Sequence, residues 1–204
     1  MAIVMVAGPQ IISAIVLATS ERWLRNSLLF LGGVALATML GTNIGFIASD
    51  FARQGAEATG NETLKAALNW VFAALLAFVA INTFRKRNTT EPPKWMGALQ
   101  RADGALAFRI GFLLFLLMPT DIVSMLTVGG YVSRTGAPYW HVWAFVGATL
   151  LLAGAPLIMG LLLGRKAATL LPKVRDWMGA NSWIVSEVVT LYFFVTVVKN
   201  ALSA

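Results

Sequence analysis

Two short polar segments interrupt apolar runs of this sequence, and each contains a proline. One is 118-MPTD-121 and the other is 8-GPQ-10, near the N-terminus. Proline has no backbone N–H and clashes with the carbonyl four residues earlier, which costs about 3 kcal/mol in a helix interior. At membrane depth such a break is tolerated only where it is buried in protein or lines a polar cavity. We therefore expect Pro9 and Pro119 to interrupt two helices beside a shared site.

Asp121 is the side chain most suited to chemistry at such a site. A charged group at the bilayer centre costs roughly 2.5–3.5 kcal/mol on insertion scales, so it is usually protonated, paired or hydrated. A functional carboxylate would couple proton movement to transport or bind substrate. The alternative is a local cap, in which Thr120 or Asp121 accepts N–H groups of the following half-helix. The two interpretations are compatible.

Other polar side chains within apolar runs complete the candidate site. Glu187 lies near Ser186 and Thr190. It either belongs to the site, or extends to the inner membrane interface, or pairs with Arg165 or Lys166. The candidate site residues are Pro9, Gln10, Ser13, Pro119, Thr120, Asp121, Ser124 and Glu187. Further polar residues would line a cavity or form hydrogen bonds between helices, namely Thr38, Thr42, Asn43 and Thr127.

The composition predicts an all-α membrane protein that crosses the bilayer several times. The chain has 204 residues, of which 58% are hydrophobic and 12% charged, and its mean hydropathy is +0.74. Several apolar runs reach the roughly 20 residues that a membrane-spanning helix needs. We predict six spans, at about 2–18, 27–48, 65–84, 106–128, 141–164 and 183–202.

Residue types that are absent or rare exclude several kinds of chemistry. The chain has no cysteine and one histidine, so disulfides, thiolate sites and multi-histidine metal sites are excluded within one chain. No nucleophile–base pair or repeated acidic motif is apparent. We expect neither an enzyme nor a bound cofactor or metal.

The positive charges predict the orientation of the chain. Twelve of the sixteen Lys and Arg residues lie in or beside the first, third and fifth loops, which predicts that these loops are cytoplasmic and both termini outside. The net charge of +7 is therefore explained by orientation and contact with anionic lipid rather than by nucleic-acid binding. The twelve are Arg22, Arg25, Arg85, Lys86, Arg87, Lys94, Arg101, Arg109, Arg165, Lys166, Lys173 and Arg175.

The two halves of the chain show signs of an inverted repeat. Pro9 aligns with Pro119, and the segments 12-ISA-14 and 123-VSM-125 follow after a one-residue gap. Three spans per half would insert the second half in the opposite sense, as in many secondary transporters. We expect repeat one at about 1–88, a cytoplasmic linker with an interfacial helix at about 89–104, and repeat two at about 105–204.

Small residues recur every four positions in the second predicted span. Such a face lets helix backbones approach closely, so it could hold a partner helix or a second copy of the chain. A homodimer through this face is one expectation. The face consists of Gly33, Ala37, Gly41 and Gly45.

The sequence resembles a known family along nearly its whole length. The segment 92-PPKWMGALQRADGALAFRIGFLLFLLMPTDIVSML-126 is similar to the GAP family, also called sulfolipid-addressing or glycopeptidolipid-addressing proteins, within the LysE-type exporter superfamily. Where that family has an Asn-Pro-Lys-like motif, this chain has Met118, Pro119 and Thr120, and the first-span motif is reduced to 8-GPQ-10. The resemblance implies a bacterial or archaeal inner-membrane protein linked to export of surface glycolipids or small solutes.

Together these features predict a secondary transporter. It would export a small solute, lipid or glycolipid by alternating access around a midplane site. The alternative is a non-transporting membrane partner that assists a larger lipid-export complex.

Overall fold

The computed structural model describes residues 1–6, 9–59, 99 and 102–180, and within them every regular element is an α-helix. The predicted spans at 65–84 and 183–202, most of the predicted interfacial helix, and Glu187 lie outside the described residues. The all-α prediction is confirmed for the described part of the chain. The helices are α1 Ala2–Val6, α2 Pro9–Ala18, α3 Trp23–Thr59, α4 Gly104–Leu117, α5 Pro119–Thr135, α6 Trp140–Ala153, α7 Ala155–Leu163 and α8 Arg165–Ala180.

The predicted break at Pro119 is present. Helix α4 ends at Leu117 and α5 begins at Pro119, with a bend of 70° between them. Met118 is extended, with φ −69° and ψ 126°, because the residue before proline is pushed out of the helical region. Near the N-terminus, α1 ends at Val6 and α2 begins at Pro9.

A further break, which the sequence analysis did not anticipate, divides the fifth predicted span. Helices α6 and α7 meet at Gly154 with a bend of 52°, and Pro156 lies in the first turn of α7. By length and composition, one described helix, Trp23–Phe51, can cross a membrane, and the described total rises to three if each bent pair counts as one span.

Helix α3 is the longest described element and lies along both α4 and α5. At 37 residues it is about 55 Å long. Gly33 contacts α4 opposite Gly111, and Gly45 contacts α5 near Gly129, so α3 runs parallel to the α4–α5 pair. A Cβ at Gly111 would lie 2.3 Å from a carbonyl oxygen of α3. Close backbone contact therefore requires glycine at this crossing.

The small-residue face of α3 is buried within the chain. Gly33, Ala37, Gly41 and Gly45 are all buried, against α4 and α5. The pattern predicted close helix packing, and the packing partner is the α4–α5 pair of the same chain. A homodimer remains a prediction, and it would need a different surface from this one. The opposite face of α3 exposes an apolar stripe of Leu24, Leu28, Leu36, Leu40, Ile44, Ile47 and Phe51.

The broken helix α1–α2 and the broken helix α6–α7 also pack on each other in parallel. Helix α1 contacts α6 and α2 contacts α7. Helix α8, where the sequence predicted a loop, packs Ala167 and Leu171 against Ile15 and Ala18 of α2. The described helices therefore form two groups: bundle A, which is α3, α4 and α5, and bundle B, which is α1, α2, α6, α7 and α8.

The beginnings of α3 and α4 lie at one end of the molecule together with the end of α2. Asn26 Nδ2 donates to Ser20 Oγ at 3.1 Å and to the carbonyl oxygen of Ala102 at 3.0 Å. Leu99, from the segment predicted as an interfacial helix, is fully buried in the main core. Ser20 and Asn26 of the first predicted loop region and Ala102 at the end of the third therefore lie at the same end, which agrees with the charge pattern.

Candidate functional site

The two proline breaks meet through a direct hydrogen bond. Gln10 Nε2 donates to Asp121 Oδ2 at 2.8 Å, although the two residues are 111 positions apart in the sequence. Gln10 is 2% exposed and Asp121 is fully buried. This bond joins bundle B to bundle A at the first turns of α2 and α5.

Local helix geometry positions Asp121. Pro119 is the first residue of α5, and the carbonyl of Met118 accepts the N–H groups of Asp121 and Ile122 at 3.0 Å each. Asp121 is thus the third residue of α5, and it is fully buried although Pro119 is exposed. A carboxylate in the first turn is stabilised by the partial positive charge of the helix N-terminus.

The partners of the carboxylate are side chains. Besides the bond from Gln10, Thr120 Oγ1 donates to Asp121 Oδ1 at 3.3 Å. In the described part of the chain its carboxylate oxygens accept no backbone N–H of α5, so the hydrogen-bonding cap considered from the sequence is not formed there. Both partners are neutral, and a buried carboxylate with only neutral partners pays a large desolvation cost.

Gln10 has spare hydrogen-bonding capacity at this site. Its amide oxygen, Oε1, is buried and has no partner among the described residues. Buried polar atoms without a partner are uncommon in proteins, and each needs a physical explanation. This acceptor lies on the same amide that bonds Asp121. It can therefore accept a hydrogen bond from a ligand, a water molecule or a protonated group.

Two serines occupy matching positions one turn further along. Ser13 Oγ donates to the carbonyl of Pro9 at 2.6 Å, and Ser124 Oγ donates to the carbonyl of Thr120 at 2.9 Å. Each hydroxyl bonds back within its own helix and is buried. In the described structure these serines therefore support the first turns of α2 and α5 beside the Gln10–Asp121 bond.

The remaining candidates are distributed differently. Pro119 is exposed and Pro9 is half-buried, so these residues shape the helices rather than face the buried pair. Thr42 donates to the carbonyl of Thr38 within α3, and Asn43 donates to that of Met39. Glu187 lies outside the described residues, so its role stays a prediction.

The end of the bundles that the charge pattern predicts to be outside contains a contact that the sequence analysis missed. The Tyr139 hydroxyl donates to Asn43 Oδ1, and the Tyr139 ring packs edge-on against Phe46. Tyr139 precedes α6, so this contact ties bundle B to bundle A beyond the site. Asn43 was recognised as a polar residue inside a span, but the sequence carries no signal for its partner.

The fold and the site define a class of protein: a helical membrane protein with broken helices whose ends meet around a buried polar pair. The family model of Sap, sulfolipid-1-addressing protein, matches residues 1–203. The chain belongs to this family, which confirms the resemblance seen in the sequence. Its placement in the LysE-type superfamily stays a prediction. Neither the curated proteins nor the solved structures provide a match.

Proposed function

We propose that this chain is a secondary transporter that exports a lipid, a glycolipid or a small solute across the bacterial or archaeal inner membrane. The observation that carries the proposal is the bond from Gln10 to Asp121, which joins the two helix breaks. Broken helices that meet at a polar pair are the usual construction of a substrate or ion site in secondary transporters.

The local sequences around the pair support an inverted repeat. If the one-residue gap follows Pro9, then 10-QIIS-13 aligns with 121-DIVS-124. Gln10 and Asp121 become equivalent positions, and so do Ser13 and Ser124. Residues related by a two-fold axis can contact each other only close to that axis. The hydrogen bond between Gln10 and Asp121 therefore supports a two-fold axis that passes close to the site.

The moving units of this transporter are the two bundles rather than the two sequence halves. Close glycine contacts bind α3 of the first half to α4 and α5 of the second, so rigid halves could not separate. The junction between bundles is packed less closely: a Cβ at Gly160 of α7 would lie 3.5 Å from the Trp23 side chain of α3, an ordinary contact distance. The buried Ser27 hydroxyl has no partner among the described residues. Alternating access would proceed by movement at this junction.

Proton coupling fits the chemistry of the pair. In the structure Gln10 Nε2 donates to Asp121 Oδ2, which is the arrangement that an ionised carboxylate would take. Protonated Asp121 would donate instead, and rotation of the Gln10 amide by 180° would offer Oε1 as the acceptor. When Asp121 is ionised, the Gln10 atom that does not bond it is the acceptor Oε1. When Asp121 is protonated, that atom is the donor Nε2. Binding of a polar cargo group at that atom would then depend on the proton.

The test compares cells that lack the gene with cells that carry Asp121→Asn. Surface and inner-membrane glycolipids are extracted separately and profiled by mass spectrometry. We expect a lipid that fails to reach the surface both in the deletion strain and in the Asp121→Asn strain. Asp103→Asn is the matched control, because Asp103 is an exposed helix cap and asparagine caps equally well.

The alternative function, a non-transporting partner of a lipid-export complex, predicts a different pattern. Deletion would abolish surface delivery, while Asp121→Asn at wild-type abundance would leave it intact. That result would overturn the transporter proposal, because a scaffold has no need of an ionisable group at the site.

A further inference from the structure

Helix α8 carries apolar residues that are buried against α2 and, beside them, a line of apolar residues that is exposed. Ala167 and Leu171 are each 2% exposed, against α2. Leu170 and Val174, one turn apart, are 41% and 38% exposed, and Trp177 continues the line at 57%. We call these three residues the outer stripe. A soluble helix in this position would carry polar residues along the outer stripe.

Cations border the outer stripe. Lys166 and Lys173 are both exposed, and at 100° per residue they lie beside Leu170 and Trp177 on the helical wheel. The whole helix contains four basic residues, Arg165, Lys166, Lys173 and Arg175, against one acidic residue, Asp176. An apolar stripe edged by lysines, with a tryptophan near its end, is typical of a helix that lies in the plane of a membrane surface.

The location of α8 agrees with this chemistry. It follows α7 directly and packs against the end of α2, at the same end of the molecule as Ser20 and Asn26. That end collects the basic loops, which predicts that it faces the cytoplasmic leaflet. Anionic lipids give this leaflet a negative surface potential that attracts Lys and Arg.

We propose that the outer stripe and its two lysines bind anionic phospholipid headgroups, so that α8 is an in-plane docking helix. Leu170, Val174 and Trp177 enter the headgroup boundary, while Lys166 and Lys173 contact lipid phosphates. Since α8 packs on α2, the bound lipid also holds the half-helix that carries Gln10. The proposal does not depend on the transport activity.

Fluorescence from a single labelled cysteine tests the proposal, because the chain has no cysteine of its own. Val174→Cys carries an environment-sensitive NBD probe in the outer stripe. Thr169→Cys, which is also exposed on α8, is the matched probe outside the stripe. The full chain is reconstituted in phosphatidylcholine nanodiscs containing equal amounts of either brominated phosphatidylglycerol or brominated phosphatidylcholine. Bromine quenches probes that lie beside it, so the ratio of quenching reports which lipid surrounds α8.

We expect stronger quenching by the brominated phosphatidylglycerol at position 174, and weak quenching by either lipid at position 169. Each lysine contributes about a fivefold preference for the anionic lipid. The double variant Lys166→Gln/Lys173→Gln should therefore be quenched equally by the two lipids, while Arg109→Gln on α4 should keep the preference.

Three results would overturn the proposal. One is equal quenching by the two lipids at position 174 with both lysines present. Another is an anionic preference that survives loss of both lysines. The third is water-like emission at position 174 in every lipid composition, which would assign the outer stripe to another protein.

Discussion

The hydrogen bond between Gln10 and Asp121 predicts a strong energetic coupling that a double-mutant cycle can measure. We choose Gln10→Met and Asp121→Leu, because both replacements remove hydrogen bonding while keeping much of the side-chain volume. The single and double variants give the coupling energy as the departure from additivity. The cycle isolates the one contact that joins the two helix breaks.

The expected magnitude follows from burial and charge. A hydrogen bond to a charged group contributes about 1.5–3 kcal/mol, whereas interhelical bonds in membrane proteins average about 0.6 kcal/mol. Both side chains are buried, and the other partner of Asp121 is Thr120 at 3.3 Å. We therefore expect a coupling of about 1.5 kcal/mol or more, which changes the unfolding equilibrium at least about tenfold.

The single variants should behave asymmetrically. Gln10→Met leaves Asp121 buried with one long hydrogen bond, so it should destabilise the fold strongly. In the Asp121→Leu background the same change should cost little, because no carboxylate remains to be held. Asp121→Leu alone removes a buried carboxyl group but leaves the Gln10 amide without a partner, so its net effect on stability is smaller.

Unfolding of the purified protein by SDS in mixed micelles, followed by circular dichroism, provides the free energies. The control cycle uses Ser13→Ala and Ser124→Ala, whose hydroxyls bond within their own helices; its coupling should be close to zero. A Gln10–Asp121 coupling at or below about 0.6 kcal/mol would refute the reasoning, because the pair would then be an ordinary polar contact.

Three further predictions concern packing and closure. Gly129→Ala should destabilise the fold by about 1–3 kcal/mol in the same SDS assay, because a Cβ there would lie 2.1 Å from a carbonyl oxygen of α3. Gly147→Ala should be neutral or stabilising, because a Cβ there would meet no atom within 4 Å. Ser27→Ala should be neutral or stabilising because its buried hydroxyl has no partner among the described residues, while Ser20→Ala should cost about 1 kcal/mol by removing its bond with Asn26. Tyr139→Phe should increase labelling of site cysteines from the outer side, since it removes the hydroxyl contact between the bundles; unchanged labelling would contradict a closing role.

The break at Pro119 and the close packing of α3 were predictable because both arise from local residue types: a proline without an N–H and glycines without a side chain. Proline at position 119 has no backbone N–H and pushes Met118 out of the helical region, and α5 begins there. Glycines every four residues in α3 predicted an approaching backbone. They could not identify the partner, because a helix of the same chain and one of a second copy present the same chemistry. The structure identifies α4 and α5.

Features that depend on long-range placement were less predictable. Gln10 and Asp121 were both candidates, but their bond spans 111 residues and needed the fold to become visible. Helix α8 lies in the loop predicted between the fifth and sixth spans, and it is helical through Pro172. The bend at Gly154 was missed because Pro156 follows it inside a continuous apolar run.

Two-sided accessibility of the buried site tests the central claim most directly. Ser124 is 1% exposed and lies one turn from Asp121, and we replace it with cysteine. In oriented membrane vesicles, a membrane-impermeant thiol reagent is added on one side or the other. The alternating-access account predicts labelling from both sides, with Met125→Cys, packed against Gly41 inside bundle A, remaining unlabelled. Full labelling of Ser124→Cys after denaturation, combined with none from either side in native vesicles, would contradict the account.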